Sequence, residues 1–261
     1  MRSRLVDPST DQILAYCAES PVERVFLEDV ARRGQGRFVA LPDDDGGLEA
    51  LCHLGTNVVP SGSGCDAFAA PAGRAAPRML IGEEHAVTEL WESGRRRFDK
   101  ARDDRRRQPV YISEIAPEPG GTGLRPARRS DLDMLVPACA RAHFEELSVD
   151  PLRRDPNGFR WRTRAQIEEG RSWVWIENDV ILFKAEASAW TPAAVQLQQV
   201  WVDAPARRRG YASRALRDLI RLLLEQVPTV CLFVRADNAP AIRLYESVGM
   251  RHALDYRSVL F

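Results

Sequence analysis

Three consecutive arginines stand between a predicted strand and a predicted helix in the last third of the chain, where they could bind an anion. Residues 200–202 are apolar and β-prone, which predicts a strand. Residues 213–226 carry apolar side chains at the spacing of one helix face. The loop between them therefore places the arginines of 207–209 beside the backbone N–H groups that open a helix. Gly210 lets the backbone approach a ligand closely because it has no Cβ, and pyrophosphate is the anion that such a loop favours.

The same loop resembles a known family pattern. Residues 207–212 read Arg-x-x-Gly-x-Ala, which is similar to the Gln/Arg-x-x-Gly-x-Gly/Ala pattern of the GCN5-related N-acetyltransferases (GNAT). In that family this loop holds the pyrophosphate of acetyl-CoA. Residues 238–250 resemble the family's Asn-x-x-Ala-x-x-Leu-Tyr-Glu-x-x-Gly-Phe segment, with Met250 in place of the aromatic residue. The two patterns occur in the family's order and spacing, so residues 123–261 are identified as a member.

The resemblance implies which residues bind the acyl-CoA and which supply a proton. The strand before the loop would pair its backbone with the pantetheine arm and polarise the thioester carbonyl through one amide. The loop would hold the pyrophosphate, and Tyr245 would give a proton to the leaving thiolate. The implied CoA-binding residues are Val200, Trp201, Val202, Arg207, Arg208, Arg209, Gly210, Tyr211, Ala212, Ser213 and Asn238.

The two family patterns do not identify a general base. Many relatives have a glutamate on the strand before the loop, where this chain has three glutamines within 196–199 that take no proton at neutral pH. Glu186, one strand earlier, is our candidate for the base, acting directly or through water. A purely structural ion pair between Glu186 and Lys184 is the alternative, and an acceptor that arrives neutral needs no base. The other candidates are His143, Glu145 and Glu146.

The length and the order of predicted elements indicate two domains. A chain of 261 residues is long for one compact domain. We expect a degenerate GNAT-like domain at 1–115, a Pro- and Gly-rich linker at 116–123 and a catalytic GNAT domain at 124–261. The first part repeats the GNAT order of elements but has no phosphate-loop pattern, so it would shape the acceptor pocket or the domain interface. The predicted class is α/β (α+β), a tandem GNAT fold with a mixed, mostly antiparallel sheet flanked by helices in each half.

The composition excludes several other classes of protein. Lys plus Arg and Asp plus Glu both number 37, so no overall charge favours nucleic acid or an anionic membrane. We interpret the arginine-rich stretch 95–107 as an exposed helix with i,i+4 ion pairs, with contact to RNA or a phosphorylated carrier as the alternative. Five scattered cysteines disfavour a disulfide framework and a zinc site, so we expect no metal. No apolar run has transmembrane length and residues 1–4 lead into no signal segment, which predicts a cytoplasmic protein without a membrane partner.

Together these features predict an acyltransferase. It would move an acetyl or other acyl group from a CoA thioester to a primary amine of a small molecule or a protein. A second hypothesis keeps the fold but takes the acyl group from an aminoacyl-tRNA or a carrier protein. A third is a non-catalytic CoA-binding or regulatory module, which the missing strand glutamate supports. A monomer and a homodimer fit the sequence equally.

Overall fold

A computed structural model describes residues 5–261 and contains a mixed sheet with helices on both faces. Residues 1–4, on which the expectation of no signal segment rests, lie outside the described residues. The helices are α1 (Thr10–Ala18), α2 (Val25–Arg32), α3 (Ala69–Arg74), α4 (Glu84–Gly94), α5 (Leu132–Leu147), α6 (Pro151–Arg154), α7 (Pro156–Glu168), α8 (Tyr211–Leu224) and α9 (Ala239–Ser247). The strands are β1 (Phe38–Pro42), β2 (Leu48–Leu54), β3 (Asn57–Gly62), β4 (Met79–Glu83), β5 (Asp103–Ser113), β6 (Arg125–Pro126), β7 (Ser172–Glu177), β8 (Val180–Trp190), β9 (Ala194–Trp201), β10 (Thr229–Phe233) and β11 (Arg251–Leu260). Within these described residues, no helix has the length and apolarity needed to cross a membrane.

One sheet runs through both halves of the chain. Its eleven strands, counted over residues 5–261, have the order β1-β2-β3-β4-β11-β5-β10-β9-β8-β7-β6. The pairs β3–β4 and β9–β10 are parallel, and the other pairs are antiparallel. The predicted fold class, a mostly antiparallel sheet flanked by helices, is confirmed. The sequence analysis did not foresee that the sheets of the two halves join into one.

The join is an exchange of strands between two halves that repeat the same order of elements. Each half has a short edge pairing, a helical segment, a meander of strands, a helix, a strand, a further helix and a long final strand. The final strands β5 and β11 pair with each other at the centre of the sheet. On its other side, β11 pairs with β4 of the first half, and β5 pairs on its other side with β10 of the second half. The two halves therefore share their central strands, and the domain boundary expected within 116–123 stays a prediction.

The helices cover the sheet so that the second half's functional strands are held from both faces. On one face α5 and α7 pack with Val174 and Trp201. On the other face α8 and α9 pack with Phe183 and Leu197. Helix α2 of the first half reaches the second half, where Val25 packs in one buried cluster with residues of β5, β8 and β10. Burial of this apolar surface fixes the first half against the strands that precede the arginine loop.

A buried ion pair adds to this attachment. Asp29 on α2 accepts two hydrogen bonds from the Arg171 guanidinium, at 2.6 and 3.1 Å. Both side chains are nearly excluded from solvent, with 5% and 12% of their surfaces exposed. The bidentate geometry orients the first half relative to β7.

The helix expected over 95–107 was wrong. Residues Arg95–Arg97 form a single 3-10 turn, and Asp103 begins β5. The strand has neighbours on both sides, β11 and β10, so tertiary pairing outweighs the local charge pattern. The charges are paired within the sheet instead, since Arg257 of β11 is fully buried and bonds the Asp104 carboxylate at 2.8 and 2.9 Å.

The segment 116–123 contains no helix or strand but is fixed along α8. Asp218 on α8 accepts hydrogen bonds from the backbone N–H groups of Gly120 and Thr122, at 2.7 and 2.8 Å. Arg214 donates to the Gly120 carbonyl at 2.8 Å. A Cβ at Gly120 would lie 1.9 Å from the Arg214 carbonyl oxygen, so the close approach requires glycine. This segment is a strap that holds the helix after the arginine loop.

Candidate active site

Strands β9 and β10 separate midway, and the gap opens at the end where the arginine loop begins. Their parallel pairing runs from Thr229 opposite Ala194 to Cys231 opposite Gln196 and stops there. Strand β10 stays with β5 as far as Phe233, whereas β9 stays with β8 as far as Trp201. The backbone of β9 beyond Gln196 therefore has a free edge toward the gap, which can take an extended, amide-bearing chain as an added strand.

A bulge in β9 lies next to this free edge. Gln199 has a left-handed φ of +49°, and the register to β8 shifts by one residue between Glu186 and Lys184. The Gln199 side chain accepts a 2.8 Å hydrogen bond from the Lys184 ammonium, which is fully buried. The bulge changes the direction of the β9 backbone groups, and the hydrogen bond from the buried ammonium stabilises the bulge.

The loop after β9 presents a run of unbonded amides, as the arginine pattern predicts. Within the described chain, the backbone N–H groups of residues 208–213 donate to no protein acceptor, and the first bonded one is that of Arg214, to the Gly210 carbonyl. Gly210 has φ +79° and precedes α8 without a capping side chain. The helix dipole and the open N–H groups together make a site for an anion.

The three arginines differ in their contacts. Arg207 donates to the Val202 carbonyl at 3.0 Å and to both carboxylate oxygens of Glu145, at 2.6 and 2.8 Å. It therefore braces the loop against α5. Arg208 and Arg209 are exposed and have no ion-pair partner among residues 5–261, so their guanidinium groups are available to phosphate oxygens.

The side chains at the start of α8 are engaged with the protein, which leaves the backbone for a ligand. The Tyr211 ring packs edge-on against Trp175, with centroids 5.2 Å apart. Ala212 packs against the core, and the Ser213 hydroxyl donates to the Gly210 carbonyl at 3.0 Å.

A cavity of about 970 Å³ extends from the gap between β9 and β10 toward the first half. Of the three predicted strand residues, Val200 and Trp201 line the cavity, whereas Val202 lies in the core. The indole N–H of Trp201 is excluded from solvent and has no hydrogen-bond partner within the described residues. Asn238 also lines the cavity, and its side chain accepts from the Ala241 N–H at 3.3 Å as the cap of α9.

Tyr245 lines the same cavity and is 7% exposed. Its hydroxyl has no hydrogen-bond partner in the described part of the chain, yet it is not among the solvent-excluded unpaired atoms, so it reaches the cavity. Burial, and then the charge of Glu146, raises the pKa of Tyr245. The phenol is therefore protonated at neutral pH, as an acid must be.

Glu186 is not a cavity-lining residue, although it lies opposite Gln198, which is one, and its side chain belongs to a buried network. Its carboxylate accepts a 2.7 Å hydrogen bond from the Lys184 ammonium and a 3.1 Å bond from the Cys139 thiol. Burial lowers the pKa of Lys184, but the charge of Glu186 and the hydrogen bond to it outweigh burial, and the pKa is raised overall. The structural ion pair considered from sequence is thus present, and a catalytic role for Glu186 stays a prediction.

The three other base candidates, His143, Glu145 and Glu146, all line the cavity, and Glu145 is bonded to Arg207. Glu146 keeps more than a third of its surface exposed, and desolvation by the protein around it raises the pKa of its carboxyl, against the opposing charge of Arg105. Desolvation, followed by the charge of Arg162, lowers the pKa of His143. Either group can therefore accept a proton, and the charge of Glu146 also raises the pKa of Tyr245.

Sequence reasoning missed the residues that the first half contributes. The cavity is also lined by Glu23, Arg78, Arg102 and Gln108. The strand exchange brings them there, and neither spacing nor motif indicates it. Over residues 5–261, no three metal-ligating side chains form a cluster.

Comparisons with known proteins agree with this architecture. The model of the acetyltransferase (GNAT) family matches residues 137–250, and a domain of unknown function, DUF4081, matches residues 36–135. A mycothiol acetyltransferase of Nocardioides sp. (strain ATCC BAA-499 / JS614) is 29% identical over 178 residues, which cover 60% of this chain and 60% of that relative's length.

Solved structures resemble the whole chain in fold. A GCN5-related N-acetyltransferase from Sphaerobacter thermophilus has a TM-score of 0.60 at 18% identity, over 98% of this chain and 94% of that one. An acetyltransferase of the GNAT family from Colwellia psychrerythraea has a TM-score of 0.59 at 10% identity, over 99% of both chains. A tandem GNAT protein from the clavulanic acid biosynthesis pathway has a TM-score of 0.56 at 11% identity, over 98% and 97%. The second half therefore contains an acetyltransferase domain of the GNAT family, and the first half repeats its order of elements without a phosphate loop.

Proposed function

We propose that the protein transfers an acyl group from acyl-CoA, acetyl-CoA in the simplest case, to a primary amine. One observation carries the proposal: the free edge of β9 leads directly into the unbonded N–H groups of residues 208–213. The edge suits the amides of a pantetheine arm, and the N–H groups with Arg208 and Arg209 suit a pyrophosphate. We propose a class of reaction and no particular acceptor.

The cavity supplies groups for both proton transfers. Glu146 accepts a proton from the acceptor's ammonium, and the neutral amine attacks the thioester carbonyl. The C–N bond forms, the C–S bond breaks, and Tyr245 donates its phenolic proton to the leaving sulfur. The surplus proton on the attacking nitrogen then returns to the Tyr245 phenolate, directly or through water, which leaves a neutral amide. The backbone N–H groups around the Gln199 bulge polarise the carbonyl. Positioning accounts for much of the acceleration, because a thioester is already activated.

Calorimetry with acetyl-CoA tests the proposal. We expect the Arg208→Ala/Arg209→Ala variant to bind acetyl-CoA about 10- to 100-fold more weakly, since each charge-assisted bond contributes about 1 kcal/mol or more. The matched control is Arg96→Ala/Arg153→Ala, which removes two exposed arginines outside the loop. No binding by the wild-type protein, or equal binding by the loop variant, would overturn the proposal. Binding of an acylated tRNA or carrier in place of acetyl-CoA would favour the alternative donor.

A further inference from the structure

The cavity between the two halves carries unpaired positive charge at the end built by the first half. Most of its acidic lining residues are engaged: Glu145 bonds Arg207, and Asp237 pairs with Arg235 at 2.6 Å. Glu23 accepts from the Ser61 hydroxyl at 3.0 Å. The cavity-lining arginines without an ion-pair partner among residues 5–261 are Arg78, Arg102 and Arg154.

Two of these arginines lie at the edge of the sheet where the central strands β4 and β5 begin. Arg78 precedes β4 and Arg102 precedes β5, and the end of β11 lies between them. The Phe261 N–H donates to the Arg78 carbonyl at 2.9 Å, and the Arg102 N–H donates to the Leu260 carbonyl at 2.8 Å. Two strand spacings separate the two backbones, roughly 10 Å, so both long side chains can reach one anion.

The same edge faces the catalytic groups. Strand β5 begins there, and β10, which is antiparallel to β5, runs toward it, although their pairing stops at Phe233 opposite Val110. Arg105, three residues after Arg102, donates to the Glu146 backbone carbonyl at 3.3 Å, which places this edge against the end of α5. The cavity therefore holds the Glu146 carboxylate close to the strand ends that carry the free guanidinium groups of Arg78 and Arg102.

We propose that the acceptor amine carries an anionic group, a carboxylate or a phosphate, which Arg78 and Arg102 bind. The inference rests on the proposed function and gives the first half a role in it, the recognition of the acceptor. The amine lies toward Glu146 and Tyr245, and the anion lies toward the edge of β4 and β5. Guanidinium groups bind carboxylate and phosphate oxygens through paired hydrogen bonds, so a neutral amine of the same size loses these contacts.

Arginine modification by phenylglyoxal, read residue by residue by mass spectrometry, tests the site. The protein is saturated with acetyl-CoA, and four amines serve as protecting ligands: glucosamine 6-phosphate against glucosamine, and 4-aminobutyrate against butylamine. We expect the anionic member of at least one pair to slow modification of Arg78 and Arg102 several-fold, and the pairs separate phosphate from carboxylate. Arg96 and Arg153, exposed and outside the cavity, are the internal controls. Equal modification with all four amines would overturn the inference.

Variants separate this inference from the proposed function. We expect Arg78→Ala/Arg102→Ala to weaken binding of the protecting anion at least ten-fold in calorimetry while acetyl-CoA binding stays unchanged. Unchanged anion binding in that variant would overturn the inference and leave acyl transfer standing. If the wild-type protein does not bind acetyl-CoA, the result counts against the proposed function. The inference can still be tested in that case, because the protection of Arg78 and Arg102 can be read in the CoA-free protein.

Discussion

Removing one partner of the buried Lys184–Glu186 pair should destabilise the protein strongly, and removing both should not. Lys184 is fully buried and Glu186 is 7% exposed, with 2.7 Å between the charged atoms. Breaking a buried pair leaves an uncompensated charge and costs about 3–5 kcal/mol, whereas replacing both charges by apolar groups is often neutral. We therefore expect Lys184→Met to lower the free energy of unfolding by about 4 kcal/mol, or Tm by about 10 °C for a chain of this size.

The matched double variant, Lys184→Met/Glu186→Leu, should recover most of that loss. It removes both charges and keeps apolar volume, although the Gln199 side chain loses its donor. We expect stability within about 2 kcal/mol of wild type, measured by urea and thermal unfolding. A double variant as unstable as the single one would contradict the reasoning. If it transfers acyl groups at a near wild-type rate, Glu186 is not the base; if it folds but has lost all transfer, the sequence prediction for Glu186 regains its support.

Three further predictions concern the cavity and the strap. Glu146→Gln should lower kcat/KM about 100-fold near neutral pH and remove the acidic limb of the pH profile. In wild type that limb lies above the usual glutamate range, because the raised pKa means that activity is lost as pH falls through it; a limb that survives in Glu146→Gln would exclude this base. Tyr245→Phe should lower kcat about 10- to 100-fold with little change in acetyl-CoA binding, and a full rate at every pH would refute the acid assignment. Gly120→Ala should destabilise by about 1–3 kcal/mol, since its Cβ would meet the Arg214 carbonyl, whereas Gly123→Ala, with its nearest atom at 3.5 Å, should change unfolding little; equal effects would argue against the strap.

Local patterns were sufficient to predict much of the second half. The strand, the arginine loop and the helix around 200–224 were predicted from apolar spacing and a glycine, and the structure has the strand β9 and the helix α8 there. These features depend on residues close in sequence, so propensity and periodicity describe them.

The joined sheet could not be predicted in this way. Strand β5 gains its structure from β10 and β11, which lie more than a hundred residues along the chain, and its charges suggested a helix instead. The cavity depends on the same exchange, because it brings Arg78 and Arg102 to the edge near Glu146. Burial also decides roles that residue type leaves open: Glu186 and Glu146 are both carboxylates, yet one is tied to Lys184 and the other lines the cavity.

Backbone hydrogen exchange with and without acetyl-CoA measures the central claim most directly. The amides of residues 208–213 have no acceptor in the described structure, and β9 has a free edge beyond Gln196. We expect acetyl-CoA to slow exchange in peptides covering 197–201 and 208–213, and to leave the counterpart gap between β3 and β4 of the first half unchanged. Protection confined to other segments, or protection at β3 and β4 instead, would contradict the assignment of the second half as the acyl-CoA site.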